Sequence, residues 1–319
     1  MNDNINDNLD NTQEQQPVAA ERPKKQPQSF TLDYELLDFG GGSKLERYGQ
    51  NVIVRSDPES DDARLHPHLW KRASMVIEPD GPQFKVMYKY NFVEPWTVTY
   101  KFTLGEKEHE ILFNLHSEIS HHIGIFPEHA PQWSWIAHRV ANRVSTHGSC
   151  SVLNLFGYTG GASLAAAAAG AQVTHIDSAS GTLTDAKLNQ QDSGLSALPI
   201  RWLKDDVITF LKREIRRKSK YDAIIMDPPA FGRGPKGESF SLLRDLPELV
   251  DLCSQVLMKR PLFFVMNQYP KNISVEACEE LLRSKFKTMQ ISNQSLELAS
   301  SIDGRRMKCA TGIILVPMK

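Results

Sequence analysis

The chain has 319 residues, 40% of them hydrophobic and 8% aromatic, which exceeds the usual single domain and suffices to bury a core. Its formal net charge of -1 excludes a protein that coats nucleic acid through bulk positive charge and leaves only a local basic face open. Four cysteines (Cys150, Cys253, Cys278 and Cys309) stand far apart without a CxxC pair, which reads as free thiols in a reducing compartment and argues against zinc.

Residues 1–28 are mostly Asn, Asp, Gln, Glu and Pro, a composition that predicts a disordered tail. They lack the basic start and apolar stretch of a signal peptide and are too acidic for a transit peptide. No later run reaches the roughly 18 apolar residues that span a membrane. A cytoplasmic protein with no membrane partner is the expectation.

From Phe30 the pattern changes. YELLDFG, NVIVRS, FKVMYKY and WTVTYKF are rich in β-branched and aromatic residues and are divided by the turn signals GGGS, EPDGP and LGEKE. They predict a small, mostly antiparallel β-rich domain over residues 29–115. PEHAPQWSWIAHRVANRVSTHG then reads as a helix with Pro131 near its start, Trp135, Ile136 and Val140 on one face, and Gly148 beyond its end.

Beyond that helix, strands and helices alternate. SVLNLF, AQVTHID, PIRWL, YDAIIMD and PLFFVM read as strands; ASLAAAAAGA, TLTDAKLNQQDSG, VITFLKREIRRK and LPELVDLCSQVLM read as the helices between them. Such alternation makes a parallel sheet covered by helices on both faces, an α/β domain over residues 116–319. A helix, VEACEELLRSKF, precedes TMQISNQSLELAS and ATGIILVPM, which can pair antiparallel across a turn near Asp303-Gly304.

Gly157, Gly160 and Gly161 follow the first strand of this region and open a helix. Glycines there let backbone bend sharply and approach a ligand, while the helix start offers unpaired N–H groups. Asp177 closes the next strand about 20 residues later, where a carboxylate can accept from ribose hydroxyls or merely cap the following helix. GYTGGA does not match GxGxxG, and no P-loop GK[ST] follows. Lys204-Asp205-Asp206-Val207 closes the third strand, where an acid can accept from an adenine amino group. Asp227-Pro228-Pro229-Ala230-Phe231 closes the fourth.

In that order and at strand ends, NLFGYTGGASL, HID, KDDV and MDPPAF resemble the class I S-adenosylmethionine-dependent methyltransferases. Among these the chain is most similar to the bacterial group of large-subunit 23S ribosomal RNA cytosine and guanine methyltransferases. The resemblance implies a Rossmann-like fold with a mostly parallel seven-stranded sheet, and S-adenosyl-L-methionine as cofactor. It implies that Phe156, Gly157, Tyr158, Thr159 and Gly160 line the methionine side. Asp177, with Ser178 beside it, would hold the ribose and Asp205 or Asp206 the adenine. GIFPEHAPQWSWI resembles the segment that closes over the cofactor, implying that Phe126 and Glu128 lie near the methionine moiety. Where the family more often carries an acid before the glycines, this chain has Asn154 and Phe156.

Methyl transfer from a sulfonium asks the protein mainly for alignment and desolvation, so no metal is expected, and His66/His68 and His121/His122 form no convincing ligand set. Asp227 and the Pro228 carbonyl can both accept hydrogen bonds, which suits a nitrogen acceptor, and proline stiffens the turn. Phe231 either stacks on a planar base or belongs to the core. Carbon methylation of cytosine needs a cysteine nucleophile, which the resemblance to the related cytosine enzymes places after the fourth or fifth strand; DPPAFGRG and FFVMNQYP have none, and Cys253 reads as buried in a helix. Asn267 either binds the acceptor or caps its strand.

FGRGPKGESF reads as a loop carrying Arg233 and Lys236 beside the methyl site, and GRRMK adds charge suited to a phosphate backbone. KREIRRKSK reads as a solvated helix face. The expectation is a methyltransferase acting on a base nitrogen of structured, ribosomal RNA. The competing readings are a protein or small-molecule acceptor, a nicotinamide dehydrogenase, and an RNA-binding factor with a residual cofactor pocket.

Overall fold

The computed structural model describes residues 30–81, 83–89, 91–117, 122–269 and 273–318; the predicted tail, residues 1–28, and His121 lie outside them. Eight strands come first: β1 (Phe30–Leu32), β2 (Tyr34–Gly40), β3 (Ser43–Tyr48), β4 (Asn51–Ser56), β5 (Met75–Asp80), β6 (Gln83–Tyr88), β7 (Thr97–Leu104) and β8 (Lys107–Asn114). The alternating region follows as α1 (Ala130–His147), β9 (Ser151–Leu155), α2 (Gly161–Ala168), β10 (Gln172–Asp177), α3 (Ser180–Asp192), β11 (Ile200–Lys204), α4 (Val207–Arg217) and β12 (Ala223–Met226). A short hairpin, β13 (Phe231–Arg233) and β14 (Ser239–Ser241), leads into α5 (Leu242–Val256). The chain closes with β15 (Phe263–Gln268), α6 (Val275–Lys285), β16 (Met289–Ala299) and β17 (Arg306–Pro317).

The central sheet has seven strands in the order β11-β10-β9-β12-β15-β17-β16. β11 through β15 run parallel, and β17 and β16 add antiparallel pairs joined across Ser300–Arg305. AIIM and FFVM are continuous apolar runs because both faces are covered, and VLNL departs from that only at Asn154, which is buried and donates to Ser163 Oγ at 2.9 Å. Ile136, Val140 and Leu164 of α1 and α2 pack with Val152, Ile225 and Phe263 on one face. Phe210, Leu249 and Leu282 of α4, α5 and α6 pack with Leu153, Ile224 and Phe264 on the other.

The N-terminal region forms a five-stranded sheet, β2-β3-β4-β5-β6, and a three-stranded sheet, β1-β7-β8. All their pairings are antiparallel except β4–β5. Phe113 stacks on Trp133 of α1 and the Tyr100 hydroxyl donates to the Ala130 carbonyl at 3.1 Å, so the β7–β8 hairpin is packed onto the α/β body. Buried Asp38 of β2 receives Arg305 at 2.6 Å, fixing the other sheet to the β16–β17 turn.

Several expectations need correction. SKLERY, MVIEPD and KEHEILFN are strands that period-2 hydrophobicity does not reveal; β3 buries Lys44 and Glu46 alongside Leu45. FGRGPKGESF is a hairpin, with Phe231 opposite Ser241, rather than an open loop. The helix read from Leu246 begins a turn earlier at Leu242 and carries Pro247 inside it. Trp133, not Trp135, is the deeply buried indole of α1; Trp135 is half-buried against Phe263.

Candidate active site

Chain order reverses between β9 and β12, so their C-terminal ends open the crevice where α/β sheets bind ligands. Leu155 is paired with Met226 and with Ile176, which brings Phe156, Asp227 and Asp177 out on three adjacent strand tips. Neighbouring strands lie about 4.8 Å apart. Asp205 emerges one strand further out, its N–H donating to the Asp177 carbonyl at 3.1 Å.

The glycine turn is held in an unusual backbone. Phe156, Tyr158 and Gly160 have φ of 57°, 52° and 93°, and the two non-glycines are worth about 1 kcal/mol or more of strain each. The surroundings overdetermine that shape. Gly157 N–H donates to Ile176 at 3.0 Å and Tyr158 N–H to Asp177 Oδ2 at 2.9 Å. From the segment before α1, Gly124 N–H donates to the Tyr158 hydroxyl at 3.1 Å, and Thr159 Oγ1 donates to the Gly124 carbonyl at 2.6 Å. A Cβ on Gly157 would overlap the imidazole of His175. That ring is fully buried; burial pushes its pKa down to about 3, so it is neutral, with Nδ1 bonded to Ser163 Oγ at 2.9 Å.

Asp227 is the site's most constrained acid. Its Oδ2 accepts from the Tyr269 hydroxyl at 3.3 Å and lies 3.8 Å from His129 Nδ1, and Tyr269 also bonds His129 Nε2 at 3.3 Å. Its Oδ1 is buried without a partner. One oxygen is therefore anchored and the other kept vacant. Burial pushes the carboxyl above the ordinary aspartate range, against the opposing pull of His129 and Tyr269.

A cleft of about 390 Å³ joins these groups, lined by Phe126, Phe156, Tyr158, Asp177, Ser178, Asp227 and Pro228, with His122, Pro229, Ala230 and Tyr269 around it. Under the turn a smaller recess of about 40 Å³ adds Gly157, Thr159, Asn154, Gln132 and Asn267. Asp177 spends three acceptor positions on Tyr158, Ala179 and Thr182, which leaves one of the four lone-pair positions of a carboxylate. A cleft with two carboxylates and an aromatic wall suits a cationic ligand bearing hydroxyl donors.

The remaining expected residues are placed as follows. Asp205 is ion-paired with Arg213, and Asp206 caps α4 by accepting Thr209 N–H at 2.8 Å; neither borders the cleft. Phe231 is 76% exposed, which removes its core reading. Asn267 exchanges amide hydrogen bonds with Gln132 at 2.9 and 3.3 Å. Cys253 is buried in α5. KREIRRKSK spends Lys212, Arg213 and Arg217 on acids. In GRRMK, Arg305 and Arg306 pair with Asp38 and Glu297.

Glu128 does not border the recess. It faces a second cavity of about 160 Å³ between the five-stranded sheet and the α/β body, with Lys44, Arg55, Lys308 and Cys309. Phe126, His122 and Tyr269 are walls common to this cavity and the cleft. Behind it, buried Glu46 accepts from Tyr34, Tyr48 and Arg55 at 2.7–3.0 Å, and the Arg55 and Lys44 charges hold its carboxyl down to about 2 against burial. His129, Tyr269 and Cys309 were not legible as site residues, because only the fold brings segments so distant in sequence to one crevice.

Among the described residues no three His, Cys, Asp or Glu side chains converge as metal ligands, and no helix is long and apolar enough to cross a membrane. Residues 103–261 match the family model described as S-adenosylmethionine-dependent methyltransferase. The crystal structure of the SAM-dependent methyltransferase from Agrobacterium tumefaciens is 33% identical, covers 90% of this chain and 91% of its own, and superposes with a TM-score of 0.79. Ribosomal RNA large subunit methyltransferase K of Neisseria meningitidis is 25% identical over 81% of this chain and 71% of its own length. The K/L enzyme of Colwellia psychrerythraea is 29% identical over 57% of this chain, which spans only 24% of that longer relative.

Proposed function

This chain belongs to the S-adenosylmethionine-dependent methyltransferases, and from that premise we propose that it methylates a nitrogen of a base in structured ribosomal RNA. The observation that carries the reading is Asp227, which lines both recess and cleft, with its Oδ2 anchored by Tyr269 and its Oδ1 buried without a partner.

We assign the cofactor to the cleft and recess. Phe126, Phe156, Gly157, Tyr158, Thr159 and Gly160 line its methionine side, Asp177 and Ser178 hold the ribose, and Asp205 or Asp206 reaches the adenine only if its present partner is exchanged. Bound there, S-adenosylmethionine supplies a methyl group on a positively charged sulfur, which departs as a neutral thioether when the acceptor nitrogen takes the methyl. The Asp227 carboxylate and the Pro228 carbonyl accept hydrogen bonds from the acceptor amine and so turn its lone pair toward the sulfonium side. The nitrogen sheds a proton as its new bond forms. A carboxylate whose pKa burial has raised is suited to receive that proton and release it to water. Pro228 and Pro229 fix the turn and bring no N–H that would compete for the acceptor's lone pair.

The RNA assignment is supported by the names of the K and K/L relatives. Exposed Phe231, on a hairpin with Arg233 and Lys236 directly after Pro229, suits stacking on an extruded base beside a phosphate backbone. We read residues 29–115 as the module that presents substrate to residues 116–319, and the ribosome as placing the protein in the cytoplasm. The vestigial-pocket reading predicts RNA association without methyl transfer. Incubating ribosomal RNA with methyl-labelled cofactor, followed by nucleoside mass spectrometry, tests the choice. Label in an N-methylated base with the native chain and none with Asp227→Ala is the expected result; label in protein, or none at all, overturns it.

A further inference from the structure

His129 is buried, its ring held between Phe126 and Trp133 at centroid separations of 5.7 and 6.5 Å. It closes a triangle with Asp227 and Tyr269. The Tyr269 hydroxyl is 3.3 Å from both Asp227 Oδ2 and His129 Nε2, and His129 Nδ1 lies 3.8 Å from the same carboxylate oxygen. A hydroxyl carries one proton. If Tyr269 gives it to Asp227, the tyrosine oxygen needs a donor from Nε2, and a neutral ring that supplies one turns a bare Nδ1 lone pair toward the carboxylate. If the ring is protonated at Nδ1 alone, Nε2 takes the tyrosine proton away from Asp227. Only an imidazolium serves all three contacts, so the triangle has a defined place for one additional proton. His129 and Asp227 both border the recess under the glycine turn that is assigned to the cofactor. A sulfonium there opposes a second positive charge on His129, and the neutral thioether left after methyl transfer does not.

We propose that His129 takes over the positive charge that the methyl donor gives up: neutral while S-adenosylmethionine occupies the site, protonated once S-adenosylhomocysteine has replaced it. The acceptor nitrogen bonds the methyl carbon, and the carbon–sulfur bond breaks with its electron pair staying on sulfur. The nitrogen's proton goes to Asp227 and leaves from Oδ2 to the Tyr269 oxygen, as the Tyr269 proton passes to His129 Nε2. Asp227 is then a carboxylate again, Tyr269 a phenol, and the buried site holds the same net charge as before. With cofactor and acceptor filling the cleft, this route needs no water at the carboxylate. The imidazolium gives its proton to water when the next sulfonium enters. His129 thus acts through Asp227 and Tyr269 as a positioning residue. The other ionisable groups around the triangle are His122, packed on Phe126, and Glu128 and Cys309, which share the neighbouring cavity with Tyr269. Burial keeps the Cys309 thiol protonated. The origin of the proton rests on the amine reading above; the exchange of charge with the cofactor does not.

The test therefore uses the full chain and the two cofactor forms without nucleic acid, so its outcome is independent of the acceptor. Calorimetric titration in buffers of different ionisation enthalpy counts the protons exchanged on binding. Between pH 6 and 8 the S-adenosylhomocysteine complex is expected to hold, at the maximum, about half a proton more than the S-adenosylmethionine complex. Preference for S-adenosylmethionine over S-adenosylhomocysteine should accordingly rise about tenfold across that range. In His129→Gln, whose amide reaches toward Tyr269 but does not titrate, both differences should vanish; in His122→Gln both should remain. Equal proton counts for the two forms in the native chain overturn the proposal. So does a difference that persists in His129→Gln, which would assign the proton to Asp227 or His122. Should His129→Gln not fold, the native preference and His122→Gln decide: a ratio that does not change with pH, or a slope lost in His122→Gln, overturns it.

Discussion

Replacing Asp227 by Asn separates the cost of a buried charge from its use. In the native chain Oδ1 is buried without a partner, and the side chain as a whole is 21% exposed. An unpaired buried acceptor costs about 1–3 kcal/mol, and the residual exposure and the Tyr269 hydrogen bond place this one toward the lower end. Asn keeps the volume and can still accept from Tyr269, so near neutral pH Asp227→Asn should be about 1 kcal/mol more stable, roughly 2 °C in Tm. A carboxyl raised in the folded state gives its full stability below its unfolded pKa and loses it as pH climbs through the folded one. The stability advantage of the variant should therefore be absent below about pH 4 and open as pH rises toward neutrality. Methyl transfer should fall by about 100-fold or more, because the amide neither takes a proton nor offers two acceptors. Thermal unfolding from pH 4 to 8, together with single-turnover methylation, reads both effects. A variant less stable than the native chain at neutral pH, or one that methylates normally, would refute the reasoning.

Tyr269→Phe removes the anchor on Asp227 Oδ2 and the link to His129, and should slow methylation about tenfold while S-adenosylhomocysteine affinity, measured by calorimetry, stays put. Gly157→Ala forces a methyl onto buried His175 and should destabilise the fold by about 1–3 kcal/mol in urea unfolding; native stability would show that the turn relaxes freely. Glu46, held at about 2 in the fold, contributes about 3 kcal/mol above its ordinary pKa of 4.5 and loses it as pH falls toward 2. Glu46→Gln should flatten the acid limb of the stability profile. Cys309→Ser should keep methylation within a few-fold, since burial holds that thiol protonated; an inactive variant would point to carbon methylation through a thiolate.

The parallel core was legible because its strands are buried on both faces: AIIM and FFVM carry the signal in composition alone, and VLNL does so despite Asn154. The strand-tip residues Phe156, Asp177 and Asp227 were legible for the same reason, since each ends a run that could be counted. SKLERY was not, because its inward positions hold Lys44 and Glu46, whose burial depends on Arg55 and Asp57 elsewhere in the chain. Asp205 and Asp206 stand at the expected strand end, but their carboxylates serve Arg213 and the start of α4. Glu128 shows the limit most clearly. Gly124 of its segment bonds to Tyr158 and Thr159 of the glycine turn, while the Glu128 side chain turns into the neighbouring cavity.

The most direct measurement is a crystal structure of the full chain with S-adenosylhomocysteine. It should show the ribose hydroxyls on Asp177, the amino-acid part against Phe156 to Gly160, and the sulfur turned toward Asp227 and Pro228. A ligand seated elsewhere, or a carboxylate of Asp177 or Asp227 pointing away from it, would contradict the account.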